Sequence, residues 1–291
     1  MVIEVKALAC ELPSARELPL ARWSISELAA ETRRSGLVAT ISDTTVWRWL
    51  NEDAIRPWQH RSWVFPRDPD FASKAGLVLD LYEGVWQGEP LESGDYVISA
   101  DEKTSIQGRR RKHPTLPTLP GEPMKVEHEY DRLGAWAYLA AWDVHRAKVF
   151  GRCEQATGIE PFGRLVAQVM GQSPYREARR VFWIVDNGSS HRGQRSINRL
   201  QGQYPNLRLI HTPVHASWLN QIEIYLSIVQ RKVLTPNDFS TLDEVAQRLS
   251  AFERHYESIA TPFNWKFTRH DLARLLAKVT SQFAAALRTA A

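Results

Sequence analysis

Tyr96-Val97-Ile98-Ser99-Ala100-Asp101 is an apolar run with β-branched residues that ends on a carboxylate. It predicts a buried strand over residues 96–102. Val181-Phe182-Trp183-Ile184-Val185-Asp186 repeats the arrangement and predicts a second buried strand over 180–185. Between them, residues 133–144 suit a central strand, being rich in Ala, Trp and Tyr, and 146–153 suit its paired neighbour. A short strand is expected over 207–211. Helical patterning covers 161–170, 191–203, 217–234, 241–256 and 269–287. Three antiparallel strands followed by two strands separated by helices make a mixed five-stranded sheet flanked by helices, an α/β fold. Carboxylates at strand ends follow the general rule that α/β sites lie at such edges.

A third carboxylate completes the pattern. Glu223 lies in Trp218-Leu219-Asn220-Gln221-Ile222-Glu223, near the start of a predicted helix. Asp101, Asp186 and Glu223 converging on one point would form an oxygen-rich cage suited to Mg²⁺ or Mn²⁺. With two metal ions, such a cage supports in-line phosphoryl displacement. Singly, each residue has an ordinary reading: a turn residue after a strand for the two aspartates, a solvated helix face for Glu223. Glu102 alternates with Asp101 and is expected on the opposite face of the strand. Asn187 and His191 are candidates for a second shell around metal or phosphate, with His191 near a helix start where anions are favoured. His215, Ser217 and Asn220 are expected to position the Glu223 helix, with Ser217 as its N-cap.

Composition bounds the rest. The chain has 291 residues, 43% hydrophobic and 24% charged, so it can bury a full core and is not a disordered segment. The net charge of +4 permits a nucleic-acid partner without requiring one, which leaves the decision to charge clustering. The densest cluster is Arg109-Arg110-Arg111-Lys112, read as part of a basic, extended insertion with Pro114, Pro117 and Pro120. Beside a phosphodiester site it would contact phosphates, with Arg231, Lys232 and Lys266 extending the track. Cys10 and Cys153 show no metal-ligand or disulfide spacing. No signal peptide and no bilayer-length apolar stretch is seen, so no membrane is expected and cytoplasmic residence is the default. Most of the 11 tryptophans are expected to pack in cores, and a few to be free to stack on unpaired bases.

The N-terminal stretch, residues 1–65, reads as helical. Ser24 with Glu27 has capping-box spacing, a break follows at Ser35-Gly36, and Ser42-Asp43 opens a second helix. Two short helices with a turn between them fit a helix-turn-helix, whose second helix enters the major groove. Ser42, Thr44, Thr45 and Arg48 would then face DNA. The alternative is a small packing domain with Val46, Trp47 and Leu50 as core. Residues 66–95 read as a linker with a helix over 72–87, and 96–291 as the catalytic domain with a helical C-terminus.

Asp101-Glu102-Lys103, Asp186-Asn187-Gly188-Ser189-Ser190-His191, Pro213 through Glu223 and Pro262-Phe263-Asn264-Trp265-Lys266-Phe267-Thr268 occur in that order. In these motifs the chain resembles DDE transposases of the bacterial insertion-sequence group related to mariner elements. The resemblance runs from about Ser24 to the C-terminus. It implies a ribonuclease H-like catalytic domain preceded by a small all-α helix-turn-helix domain. It also implies Asp101, Asp186 and Glu223 as catalytic residues binding two Mg²⁺ or Mn²⁺ ions, one activating water or a DNA 3′-hydroxyl and one stabilising the leaving oxygen. The implied activity is endonucleolytic cleavage and strand transfer of an insertion sequence. The implied partner is double-stranded DNA (terminal inverted repeats and target, with a TA target dinucleotide), bound by a homodimer at the bacterial nucleoid. Family members usually carry two helix-turn-helix units where this chain has room for one. The alternative reading is therefore a truncated or decayed transposase that binds DNA as a regulator without catalysis.

Overall fold

The computed structural model describes residues 1–60 and 66–289, with side chains through Ser281. They divide into two compact units, Met1–Val64 and Phe65–Ala291. The expected boundary at Phe65 falls outside the described residues.

In the first unit, α1 (Val2–Cys10), α2 (Ile25–Arg34) and α3 (Asp43–Glu52) surround one small core. Ser24 and Glu27 form the expected reciprocal capping box, and the Ser42 hydroxyl accepts from the Thr45 amide to start α3. The core is Leu8, Ala9, Trp23, Leu28, Ala29, Val46 and Leu50. Two corrections to the sequence reading follow. The unit has a third helix, α1, because Val5, Leu8 and Ala9 are buried. Trp47 is 46% exposed and is not core. The buried stripe of α3 is Val46 and Leu50, four residues apart, and Trp47 lies off it.

The second unit begins with α4 (Phe71–Tyr82). The expected helix over 72–87 stops early. Gln87 and Gly88 both take left-handed backbone (φ 53° and 87°) and close a hairpin of β1 (Val85–Trp86) on β2 (Glu89–Pro90). Then come β3 (Asp95–Arg111), β4 (Tyr130–Asp143), β5 (Lys148–Glu154), α5 (Ile159–Met170), β6 (Arg180–Val185), α6 (Gly193–Gln203) and β7 (Leu207–His211). A 3-10 turn (Ser217–Leu219), α7 (Ile222–Lys232), α8 (Leu242–Glu257) and α9 (Arg269–Thr289) complete the unit.

Among the described residues the main sheet has five strands in the order β5-β4-β3-β6-β7. Strands β3, β4 and β5 are antiparallel, while β6 and β7 run parallel to β3. Each face buries its own core. Val97, Tyr138, Trp142, Phe182 and Ile184 pack with α4, α7 and α8. Ile98, Leu139, Val181, Trp183 and Val185 pack with α5 and α6. Strand β6 is therefore apolar at every interior position because both of its faces are covered.

Strand β3 is much longer than expected. Arg109, Arg110 and Arg111 are not in an extended insertion; they pair with Arg132, Asp131 and Tyr130 of β4. A bulge between Lys103 and Ile106, with Ser105 at φ 54°, separates this arm from the sheet proper.

Candidate active site

The β3–β6 register ends at Ser99 opposite Ile184. Asp186 thus follows the carboxyl end of β6, and Asp101 lies on β3 just past the point where its pairing with β6 stops. Glu223 sits in the first turn of α7 and is exposed. What brings α7 there is Asn220, which is 1% exposed. Its Nδ2 donates to the Ala100 carbonyl at 2.9 Å, and its Oδ1 accepts from the Ser99 hydroxyl. Ser99 Oγ in turn accepts from the Ile222 amide at 2.8 Å. From the other side, Tyr82 of α4 donates to the Leu219 carbonyl at 2.7 Å and accepts from the Gln221 amide at 3.1 Å. Sequence reasoning missed Ser99 and Tyr82, which carry no chemistry of their own and matter only through these long-range bonds.

Ser217 is not the N-cap of the Glu223 helix. It opens the 3-10 turn, and Asn220 then takes extended backbone (φ −83°, ψ 111°) that interrupts the helix. Helix α7 starts after Gln221 with no side-chain cap, since its first amide is met by Ser99.

The carboxylates differ electrostatically. Asp186 accepts from His191 Nε2 at 2.6 Å and from the Gly188 amide at 2.7 Å. The His191 bond holds its carboxyl below the usual range against the opposing effect of burial. Asp101 is pushed from 3.8 up to about 7, first by burial, then by the charges of Asp186, Glu102 and Glu223; the Glu102 amide opposes this at 2.7 Å. Glu223 lines one cavity with Glu102, the neighbour of Asp101, which brings the helix carboxylate beside the strand.

Glu102 belongs to the same neighbourhood. The alternation read from sequence holds, because Asp101 pairs with Ala140 of one core and Glu102 with Leu139 of the other. Yet Glu102 is raised by burial, lowered by His191 and raised by Asp186. Its Oε2 is buried and has no hydrogen-bond partner among the described residues. The loop after β6 brings His191, fully buried against Phe162, under the strand ends and so reaches Glu102 from the far face. The helix expected to begin at His191 begins at Gly193.

Among the described residues no three His, Cys, Asp or Glu side chains are placed to close on one metal ion. The donor set still suits a hard divalent cation. It is all oxygen at Asp101, Asp186 and Glu223, and the repulsion felt by Asp101 together with the orphaned Glu102 oxygen is what a nearby cation would relieve. Asn187 ties the loop after β6 to the Thr212 carbonyl at 2.8 Å. A cavity of about 620 Å³ beside Asp186 is lined by Asn187, Arg192, Thr212 and His215. His215 is exposed and held at φ 61°. Asp68, unflagged in the sequence, anchors the far rim by accepting from the Val214 amide at 3.2 Å and from Lys74 at 2.9 Å.

The expected DNA contacts are placed unequally. Thr44 and Arg48 are exposed on α3, whereas Thr45 is half-buried with its hydroxyl bonded to Ser42 at 2.9 Å. Arg110 and Lys112 are both ion-paired to Asp131, at 3.1 and 2.7 Å. Arg109 and Arg111 turn elsewhere, over the Tyr130 ring. Of the tryptophans, Trp23, Trp142 and Trp183 are fully buried, while Trp218 is 44% exposed and meets Phe267 edge-on.

The profile of the DDE superfamily endonucleases matches residues 96–246, which span all three carboxylates and more than half of the chain. The chain belongs to that family. Among solved structures, this DDE endonuclease-family chain is similar to the Mos1 mariner paired end complex with Mn, at TM-score 0.56 and 15% identity, over 97% of this chain and 78% of that one. It is also similar to the pre-cleavage Mos1 transpososome, at TM-score 0.56 and 14% identity, over 96% and 78%. The Mos1 paired end complex with Mg matches at TM-score 0.54 and 14% identity, over 98% and 78%. The likeness identifies the fold as ribonuclease H-like. No curated protein matches the chain in sequence.

Proposed function

We propose that this chain is a transposase that cuts and rejoins DNA by metal-dependent phosphoryl transfer at Asp101, Asp186 and Glu223. The observation that carries the reading is the Asn220 clamp, which ties the start of the Glu223 helix to Ala100, next to Asp101, on the strand adjacent to that of Asp186. Asp101, Asp186 and Glu223 would hold Mg²⁺ or Mn²⁺, two ions in all, which supply activation of an attacking hydroxyl and stabilisation of the leaving oxygen. His191 keeps Asp186 ionised and fixes its orientation through a 2.6 Å bond. Asn220 and Tyr82 fix where Glu223 is presented. Asn187 holds the loop that carries Asp186.

The first unit would dock α3 in a major groove, with Thr44 and Arg48 toward base edges and phosphates, and Thr45 held at the helix start. The DNA would be the element's terminal repeats and its target. The solved Mos1 neighbours are paired end and strand transfer complexes, which supports a pair of subunits on two DNA ends here. Among the described residues no helix is long and apolar enough to cross a membrane.

The test is nicking and strand joining on supercoiled plasmid carrying the DNA that flanks the gene, with Mg²⁺ or Mn²⁺, for the native chain and Asp186→Ala. Metal-dependent nicking that vanishes in Asp186→Ala is expected. Tight DNA binding with no cleavage by the native chain under either metal would refute the catalytic reading and leave a DNA-binding regulator.

A further inference from the structure

The arm of β3 beyond the bulge carries two arginines whose guanidinium groups make no ion pair among the described residues. Arg109 and Arg111 place their guanidinium carbons 4.4 and 5.3 Å from the centroid of the Tyr130 ring. Among the described residues the Arg109 guanidinium makes no hydrogen bond and no ion pair, and its Nε is buried without a partner. Among the described residues the Arg111 guanidinium donates to neutral carbonyls, those of Asn237 at 2.9 Å, Glu127 at 2.7 Å and His128 at 3.3 Å, and makes no ion pair. The nearby carboxylates already have other partners. Glu127 is paired with His113, and Asp238 accepts from the Thr115 hydroxyl at 2.7 Å and the Arg111 amide at 3.4 Å.

Two guanidinium groups over one ring repel each other unless an anion joins them, and an unpaired half-buried arginine is costly to keep. The backbone beneath is rigidly held. The Arg109 amide donates to Asn237 Oδ1 at 2.9 Å, and the Arg109 carbonyl accepts from the Phe239 amide at 2.8 Å. Such a preorganised fork matches a phosphate, which arginine recognises bidentately. Both arginines line a cavity of about 650 Å³ with Gln230 and Asn237. Gln230 also lines a neighbouring cavity of about 440 Å³ that contains Glu102 and Glu223. A third cavity, lined by Lys103, Arg109 and Gln230, shares Lys103 and Gln230 with the second and Arg109 and Gln230 with the first. Glu223 and Gln230 are two turns apart on α7, about 10 Å. Gln230 thus lies on the rim of both the arginine cavity and the one lined by Glu223.

We propose that Arg109, Arg111 and Tyr130 form a phosphate subsite that grips the backbone of the DNA strand a few nucleotides from the bond acted on. The proposal rests on the transposase reading for its occupant, and it divides the basic run by function. Arg109 and Arg111 hold DNA, whereas Arg110 and Lys112 pair with Asp131 of β4.

The test is fluorescence anisotropy of a fluorescein-labelled random-sequence duplex against salt, without divalent metal. Arg109→Gln is expected to lower the log–log salt slope by about one and to weaken binding about tenfold at low salt. Arg110→Gln is expected to change both by clearly less. Thermal melting of Arg109→Gln should stay close to that of the native chain, since the side chain loses only its contact with the Tyr130 ring while a buried, unpaired Nε is removed. Inorganic phosphate, added at constant ionic strength, should weaken DNA binding more in the native chain than in Arg109→Gln; equal weakening in both would overturn the assignment. An unchanged slope in Arg109→Gln, or an effect of Arg110→Gln as large, would also overturn the proposal. If the native chain nicks plasmid while Arg109→Gln binds and nicks normally, the subsite fails and the transposase reading stands. If the native chain never nicks but Arg109→Gln loses slope, the subsite stands and catalysis fails.

Discussion

Asn220→Ala tests whether the position of Glu223 is set by one buried amide. The side chain is 1% exposed and spans from α7 to β3 through Ala100 and Ser99. Truncation leaves the Ala100 carbonyl without that donor, at about 1–3 kcal/mol for an unsatisfied buried group. Ser99 loses one acceptor but keeps its bond to the Ile222 amide, so its share is smaller. Together the cost is about 2–4 kcal/mol. For a domain of this size that corresponds to a melting point lower by about 5–12 °C. Ser99→Ala in the same background should cost less than it does alone, because the two side chains share a bond; the coupling should be about 1 kcal/mol. Activity should fall further than the folded fraction, since a misplacement of about 1 Å can cost about a hundredfold in rate. Urea unfolding of the four members of the cycle gives the energies, and plasmid nicking at a temperature where all are folded gives the rates. A melting point within about 2 °C of the native chain, or strictly additive energies, would show that the clamp does not set α7.

Three further outcomes can be measured. Asp101 titrates at about 7 in the fold and near 3.8 when exposed. The folded chain therefore holds the proton more tightly, and without metal its stability should decline as pH rises from about 4 to about 7, by up to about 4 kcal/mol. Asp101→Asn should remove most of that slope in pH-dependent melting, and a slope unaltered by the substitution would reject the assignment. His191→Ala should deprive Asp186 of its main hydrogen bond and raise that carboxyl toward the ordinary range, seen as an upward shift of the acidic limb of the pH–rate profile. His191→Gln should restore part of the activity if its amide reaches Asp186, whereas equal loss in both variants would point to packing against Phe162 instead. In the first unit, Val46→Ala should cost about 1–3 kcal/mol, while Trp47→Ser stays within about 0.5 kcal/mol. The reverse order in chemical denaturation would contradict the placement of α3.

The sheet was legible wherever burial was complete on both sides of a strand. Arg180–Val185 and Leu207–His211 matched the sequence reading to the residue, because apolar runs bounded by polar residues leave little freedom in where a strand ends. The outer half of β3 was not legible. Residues 104–111 are polar or basic apart from Ile106 and Gly108, and they are strand only because β4 runs beside them and Asn237 accepts from Arg109 across the fold. A local pattern has no access to that partner. The helix over 217–234 failed for a related reason. Apolar residues at 218, 219, 222, 226 and 229 have helical spacing, but Asn220 obtains its hydrogen bonds from β3 only in extended backbone, so the tertiary bonds override the local preference.

The three carboxylates were read from their motifs, and Glu102 was read out by alternation along its strand. The alternation holds, but it does not isolate Glu102 where β6 has ended and the loop after it folds against β3. His191 comes from that loop, binds Asp186 on one side of the sheet edge and acts on Glu102 from the other. At this site, then, the two faces of β3 are not electrically separate. A substitution at Glu102 should alter the balance between Asp101 and Asp186 even though its side chain starts on the far face.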